Sequence, residues 1–95
     1  MPKNRRPRTC VEGELCFWVN NGPILKDLFE LRDALQNMSP EIFSHHVNKD
    51  KNDFSIWVGE VMQDAELAKK MLRNKSSASM FKTVDSHLKN NYMEA

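Results

Sequence analysis

The stretch Glu41–Val58, EIFSHHVNKDKNDFSIWV, constrains the fold more than any other. It holds two of the five Phe, one of the two Trp and two of the three His, divided by the polar run Asn48–Asn52. Apolar clusters on both sides of a short polar break predict two helices meeting at a core-forming joint that also presents polar groups. Ser39, Pro40 and Glu41 supply a start for the first: a cap residue, a Pro whose fixed φ suits the first helical position, and an acid in the first turn. Ile42, Phe43, His46 and Val47 then share one side. Asn52 or Asp53 is placed to cap the second helix, where Phe54, Trp57, Val58, Val61 and Met62 recur at helical spacing.

The flanks read as further helices packing on this joint. Pro23 opens one, with Ile24, Leu28, Leu31 and Leu35 at i, i+4, i+7 and i+11 and with Leu25 and Phe29 widening the stripe. It ends near Asn37. Asp64 either caps a further turn or lies on a continuing helix, and Leu67, Ala68, Met71 and Leu72 extend the apolar face. Asn74–Ser77 breaks it, and Ser76 or Ser77 starts a last helix carrying Met80, Phe81, Val84 and Leu88. From Asn90 the end is expected to fray. Upstream, Glu14–Val19 is a short apolar and aromatic run closed by the turn signal Asn20-Asn21-Gly22. Nothing else reads as a strand. Residues 15–19 are therefore an extended segment laid over helices, a first helical turn, or an edge that pairs with another molecule; the extended segment fits best. The expected fold is all-α, a compact bundle of four to five short helices with an extended aromatic N-terminal segment.

Ninety-five residues make one domain, which at this size buries roughly 60–65% of the surface exposed on unfolding and needs a well-filled core. The expected division is a flexible basic tail at 1–13 and a single helical domain at 14–92. Apolar content of 40% and charge of 28% fit a globular protein. No apolar run approaches the ~18 residues of a spanning helix, and no apolar segment of a secretory signal follows the basic start. The expected compartment is the cytoplasm. Cys10 and Cys16 match neither a redox nor a zinc spacing and read as free thiols, with Cys16 buried.

Charge is distributed unevenly. Of fourteen basic residues four fall at 1–9 with no acid, giving +4; ten remain against thirteen acids, giving −3 for the rest. Lys3, Arg5, Arg6 and Arg8 in a flexible tail can hold phosphates and gain affinity by releasing counterions, with a salt slope of about −3.6 on duplex DNA if each neutralises one phosphate. Lys69, Lys70, Arg73 and Lys75 form a second basic cluster able to extend that footprint, although solubility and helix-dipole complementation explain both clusters equally simply. The expected partner is nucleic acid or a ribonucleoprotein such as the ribosome. The alternative is a protein partner or self-association through Leu15–Val19.

Catalysis and metal binding are expected to be absent, and no cofactor is implied. Adjacent His45 and His46 point about 100° apart on a helix, whereas two ligands on one helix need spacing of three or four. His46 has that spacing to Asp50, but Asp50 lies in the loop. His46, Asp50 and Asp53 are kept as a polar site, with Ser44 and Ser55 as weaker nucleophile candidates outside any motif. Aromatics can stack on bases, yet Trp57 sits mid-stripe and reads as core; of Phe17 and Trp18 one must point outward if the segment is extended.

Leu28-Phe-Glu-Leu31, Met38-Ser, Phe43 with His46-Val47, Lys51-Asn-Asp-Phe54 with Trp57, and Asp64 with Glu66-Leu-Ala68 together carry a resemblance. In this order they resemble a small prokaryotic family, best represented among archaea, of helical domains without an assigned function. The resemblance spans about residues 17–72 and implies a compact helical domain, with no activity, cofactor or site residue to carry over. The family pattern has Gly just before Asp64 where this chain has Gln63, which favours a continuous helix there.

Overall fold

The computed structural model describes residues 5–93. A 3-10 turn, Gly13–Leu15, leads into β1 (Phe17–Trp18), β2 (Ile24–Leu25), α1 (Leu28–Gln36), α2 (Pro40–His46), β3 (Val47–Asn48), β4 (Lys51–Asn52), α3 (Asp53–Glu60), α4 (Ala65–Met71) and α5 (Ser77–Asn91). α3 packs on α4 and α1 on α5. The all-α expectation is therefore corrected: among the described residues five helices are accompanied by two antiparallel hairpins, β1–β2 and β3–β4.

The first hairpin explains two departures at once. Phe17 pairs with Leu25 and Trp18 with Ile24, across a turn in which Asn21 takes the left-handed conformation (φ 55). A Cβ on Gly22 would stand 2.9 Å from Cγ1 of the buried Val19, so the tight turn excludes a side chain there. The partner strand was hidden because Ile24 and Leu25 also fit the helical stripe. The helix expected from Pro23 instead begins at Leu28, where the Asp27 side chain accepts from the Glu30 N–H at 2.8 Å. The polar run at 48–52 is likewise a tight hairpin rather than a loop, with Val47 opposite Asn52.

Other start signals hold. Ser39, Asn52, Asp64 and Ser76 each accept a backbone N–H as helix caps. Asp64 can do so because the chain breaks before it: Gln63 sits at φ 57, left-handed, and the Asp64 N–H returns to the Val58 carbonyl at 3.0 Å. The continuous helix inferred from the absent glycine is thus corrected. The turn is made by a glutamine at the cost of its preferred backbone.

Phe17 completes the joint read from residues 41–58. Its ring stacks on Phe54 at 4.7 Å and meets His46 and Trp57 edge-on at 5.0 and 5.8 Å. The Trp57 indole N–H donates to the Leu15 carbonyl at 2.8 Å, tying the aromatic segment to α3. Ser55 is buried and donates to the Ala68 carbonyl at 2.7 Å, which gives it a packing role where α3 and α4 approach.

Both ends depart from expectation. Residues 5–13 run along the body: the Val11 N–H donates to Lys26 O, and Arg6 is bracketed by the C-terminal segment, its N–H donating to Asn91 O and its carbonyl accepting from Met93. Tyr92, expected to fray, is 5% exposed and packs edge-on against Phe29. Among the described residues no helix is long and apolar enough to cross a membrane.

Candidate functional site

Three places collect chemistry-bearing side chains. The first lies at the end of α2. His46 Nδ1 is 3.1 Å from Asp53 Oδ2, and its Nε2 accepts the Asn20 backbone N–H at 3.0 Å. A donor on one ring nitrogen leaves the proton on the other, so the ring is held as the Nδ1–H tautomer donating to Asp53. Lys51 Nζ reaches the same carboxylate oxygen at 3.0 Å. Burial pushes the Asp53 carboxyl up, but the hydrogen bonds from Lys51 and His46 outweigh it and leave the carboxyl below its ordinary value. Asp50 does not join this cluster; it sits exposed in the hairpin turn, where its N–H bonds Asn48. His45 and Ser44 are exposed. Both ring nitrogens of His46 are occupied by the fold, so the cluster is a brace between the first hairpin and α3.

The second place surrounds Asp64. Its Oδ1 caps α4 through the Leu67 N–H at 3.0 Å, and its Oδ2 accepts from the Tyr92 hydroxyl at 2.7 Å and His87 Nε2 at 2.9 Å. Arg6 Nη1 pairs with the same oxygen at 3.2 Å. Burial raises the carboxyl's pKa, and the bonds from Leu67, Tyr92 and His87 more than reverse this. The Tyr92 hydroxyl is driven far the other way, by burial and by the carboxylate it donates to. His87 was not singled out from sequence. A histidine at i+7 from Met80, inside the stripe of α5, was the available signal of a buried partner.

The expected phosphate-binding residues divide between these surroundings. Lys3 lies outside the described residues, and Arg5 is exposed. Arg6 is committed to Asp64, and Arg8 donates to Asp27 at 2.9 Å while lying over the Phe29 ring at 4.5 Å. The bond to Asp27 outweighs burial and holds the Arg8 pKa above its ordinary value. Lys69, Lys70, Arg73 and Lys75 are all exposed at the end of α4. Lys70 pairs with Glu66 at 3.4 Å and touches His87 Nδ1 at 3.2 Å.

The third place is the outer face of the first hairpin. Phe17 and Leu25 point into the core, leaving Trp18 63% and Ile24 44% exposed as neighbours across the strands. Ile24 also borders a groove of about 680 Å³ between β2, α1 and the start of α2, with Val19, Pro23, Met38 and Ile42 in its walls and Glu30 and Asp33 on its rim. Of the Leu15–Val19 segment, Leu15 and Trp18 face outward, while Cys16, Phe17 and Val19 are buried. Cys10 and Cys16 are free thiols, the first exposed and the second buried. Comparison of the chain with protein-family models, curated proteins and solved structures finds no match.

Proposed function

We propose that this protein is a non-enzymatic docking module that binds an apolar, basic segment of another polypeptide on the face of its first hairpin. The observation that carries this is the exposed Trp18–Ile24 pair standing beside an apolar-walled groove. A large aromatic beside a pocket is the usual anchor of a protein interface. The rim carboxylates of Glu30 and Asp33 select for Lys or Arg next to the apolar residues. Random peptides displayed against the protein test this. Enriched sequences should combine apolar residues with a nearby Lys or Arg, and should lose binding to Ile24→Asp, a change at an exposed position. No enrichment, or equal binding to the variant, would overturn the reading.

Binding to nucleic acid or a ribonucleoprotein is the second reading, supported by the four exposed cations Lys69, Lys70, Arg73 and Lys75. It rests on the end of α4 more than on the N-terminal segment, since Arg6 and Arg8 already neutralise buried carboxylates.

A further inference from the structure

α4 and α5 enclose a cleft of about 410 Å³ that the hairpin reading does not use and that shares Lys70 and Arg73 with the second, lined by these two and by Asn74, Ser86, His87 and Asn90 together with Thr83. No lining residue carries a carboxylate. The cleft is therefore a positively charged hollow in a chain of almost balanced charge.

The polar groups in it are unevenly committed. Thr83 donates to Ser79 O, and Lys70 holds Glu66 and His87. The side chains of Arg73, Ser86 and Asn90 take part in no hydrogen bond or ion pair among the described residues. Asn74 stands apart: it is only 9% exposed, and its buried Oδ1, which has no partner among the described residues, is an acceptor that calls for a donor and not for an anion.

The back of the cleft is built rather than accidental. Asp64, fixed by its four donors, takes the Nε2–H of His87, and this leaves His87 Nδ1 as a lone pair facing Lys70 Nζ at 3.2 Å and Asn91 Nδ2 at 3.2 Å. Lys70 is thereby held at the cleft by two contacts, one on each side. An ammonium fixed in place, a guanidinium free to fork onto two oxygens, a hydroxyl and the Asn90 amide are a donor set suited to an oxyanion.

We infer that the α4–α5 cleft binds a small phosphate-type oxyanion, held by Lys70 and Arg73 and hydrogen-bonded by Ser86 and Asn90. The free ion and the terminal phosphate of a nucleotide share this chemistry, while the phosphodiesters of a nucleic acid present a single charge per group. The site is independent of the hairpin face.

The test is an amide-resolved NMR titration of the full chain at constant ionic strength, with sodium chloride as the control. Its three arms are inorganic phosphate, a nucleoside 5′-monophosphate, and a short RNA without a terminal phosphate. Saturable shifts confined to residues 70–74 and 83–90 with either of the first two, absent with chloride, are expected. Binding by both assigns the phosphate group itself as the ligand; binding by the nucleotide alone adds its sugar or base to the contacts. Arg73→Glu should weaken that binding about tenfold or more and, being exposed and unpaired with the described residues, should leave the spectrum otherwise folded. Ser86→Ala supplies a milder variant with the same expected direction. The inference is overturned if phosphate and nucleotide give no more than chloride does, if Arg73→Glu binds as the native chain does, or if only the RNA binds.

Discussion

At the scale of single residues, the buried Asp64 carboxylate gathers four donors, and two of them, His87 and Tyr92, come from the far end of the chain. Its carboxyl and that of Asp53 lie below their ordinary value of 3.8 in the folded protein. The unfolded chain therefore binds protons first as the solution is acidified. The stability these two groups contribute is complete above the ordinary carboxylate value and is lost as pH falls through it to their lower folded values. Urea midpoints measured between neutrality and acid should fall along that course. Asp64→Ala should cost about 3–5 kcal/mol at neutral pH, because it strips a buried carboxylate from charged and polar partners left without it, and its acid limb should be shallower. An unchanged limb would mean that Asp64 is not held as its contacts indicate.

At the scale of elements, the breaks between helices were written in the sequence as caps, and the strands were not. Ser39, Asn52 and Ser76 were legible because a short polar side chain before an apolar run has one common use. A strand of two residues shows no alternation, and Ile24 and Leu25 satisfied a helical period equally well, so the hairpin became visible only through its partner. His46 with Asp53 was half legible: the residues were identified, but the expected spacing favoured Asp50, and the hairpin at 47–52 is what folds Asp53 back. The cleft was illegible, since Asn74 and His87 belong to different elements and neither forms a motif. The turn at Gln63 was misread because a glutamine gave no reason to expect a left-handed backbone. That conformation costs a residue with a Cβ about 1–2 kcal/mol, so Gln63→Gly should stabilise the protein by about 1 kcal/mol, after allowing for the greater freedom of glycine in the unfolded chain. Its thermal midpoint should rise by about 4–8 °C. A fall would show that the Gln63 side chain contributes more than its backbone costs.

At the scale of the molecule, the N-terminal segment belongs to the body. Arg6 and Arg8 are 46% and 38% exposed, so each ion pair is worth no more than about 1 kcal/mol after solvent screening. A protein shortened to begin at Val11 should remain folded and melt several degrees lower. Any affinity for nucleic acid that lies on Lys69, Lys70, Arg73 and Lys75 should survive this shortening with its salt dependence, and should disappear when those four are replaced. Loss of affinity on shortening alone would return the contact to Arg5, Arg6 and Arg8.

The bracket that Asn91 and Met93 form around Arg6 also fixes how the protein meets mechanical load. The two segments run parallel, so tension applied at opposite ends of the chain pulls them past each other lengthwise. Both backbone bonds and the Arg6–Asp64 pair then bear the load together and cannot open one at a time. Stretching the chain must break this bracket before it reaches any helix.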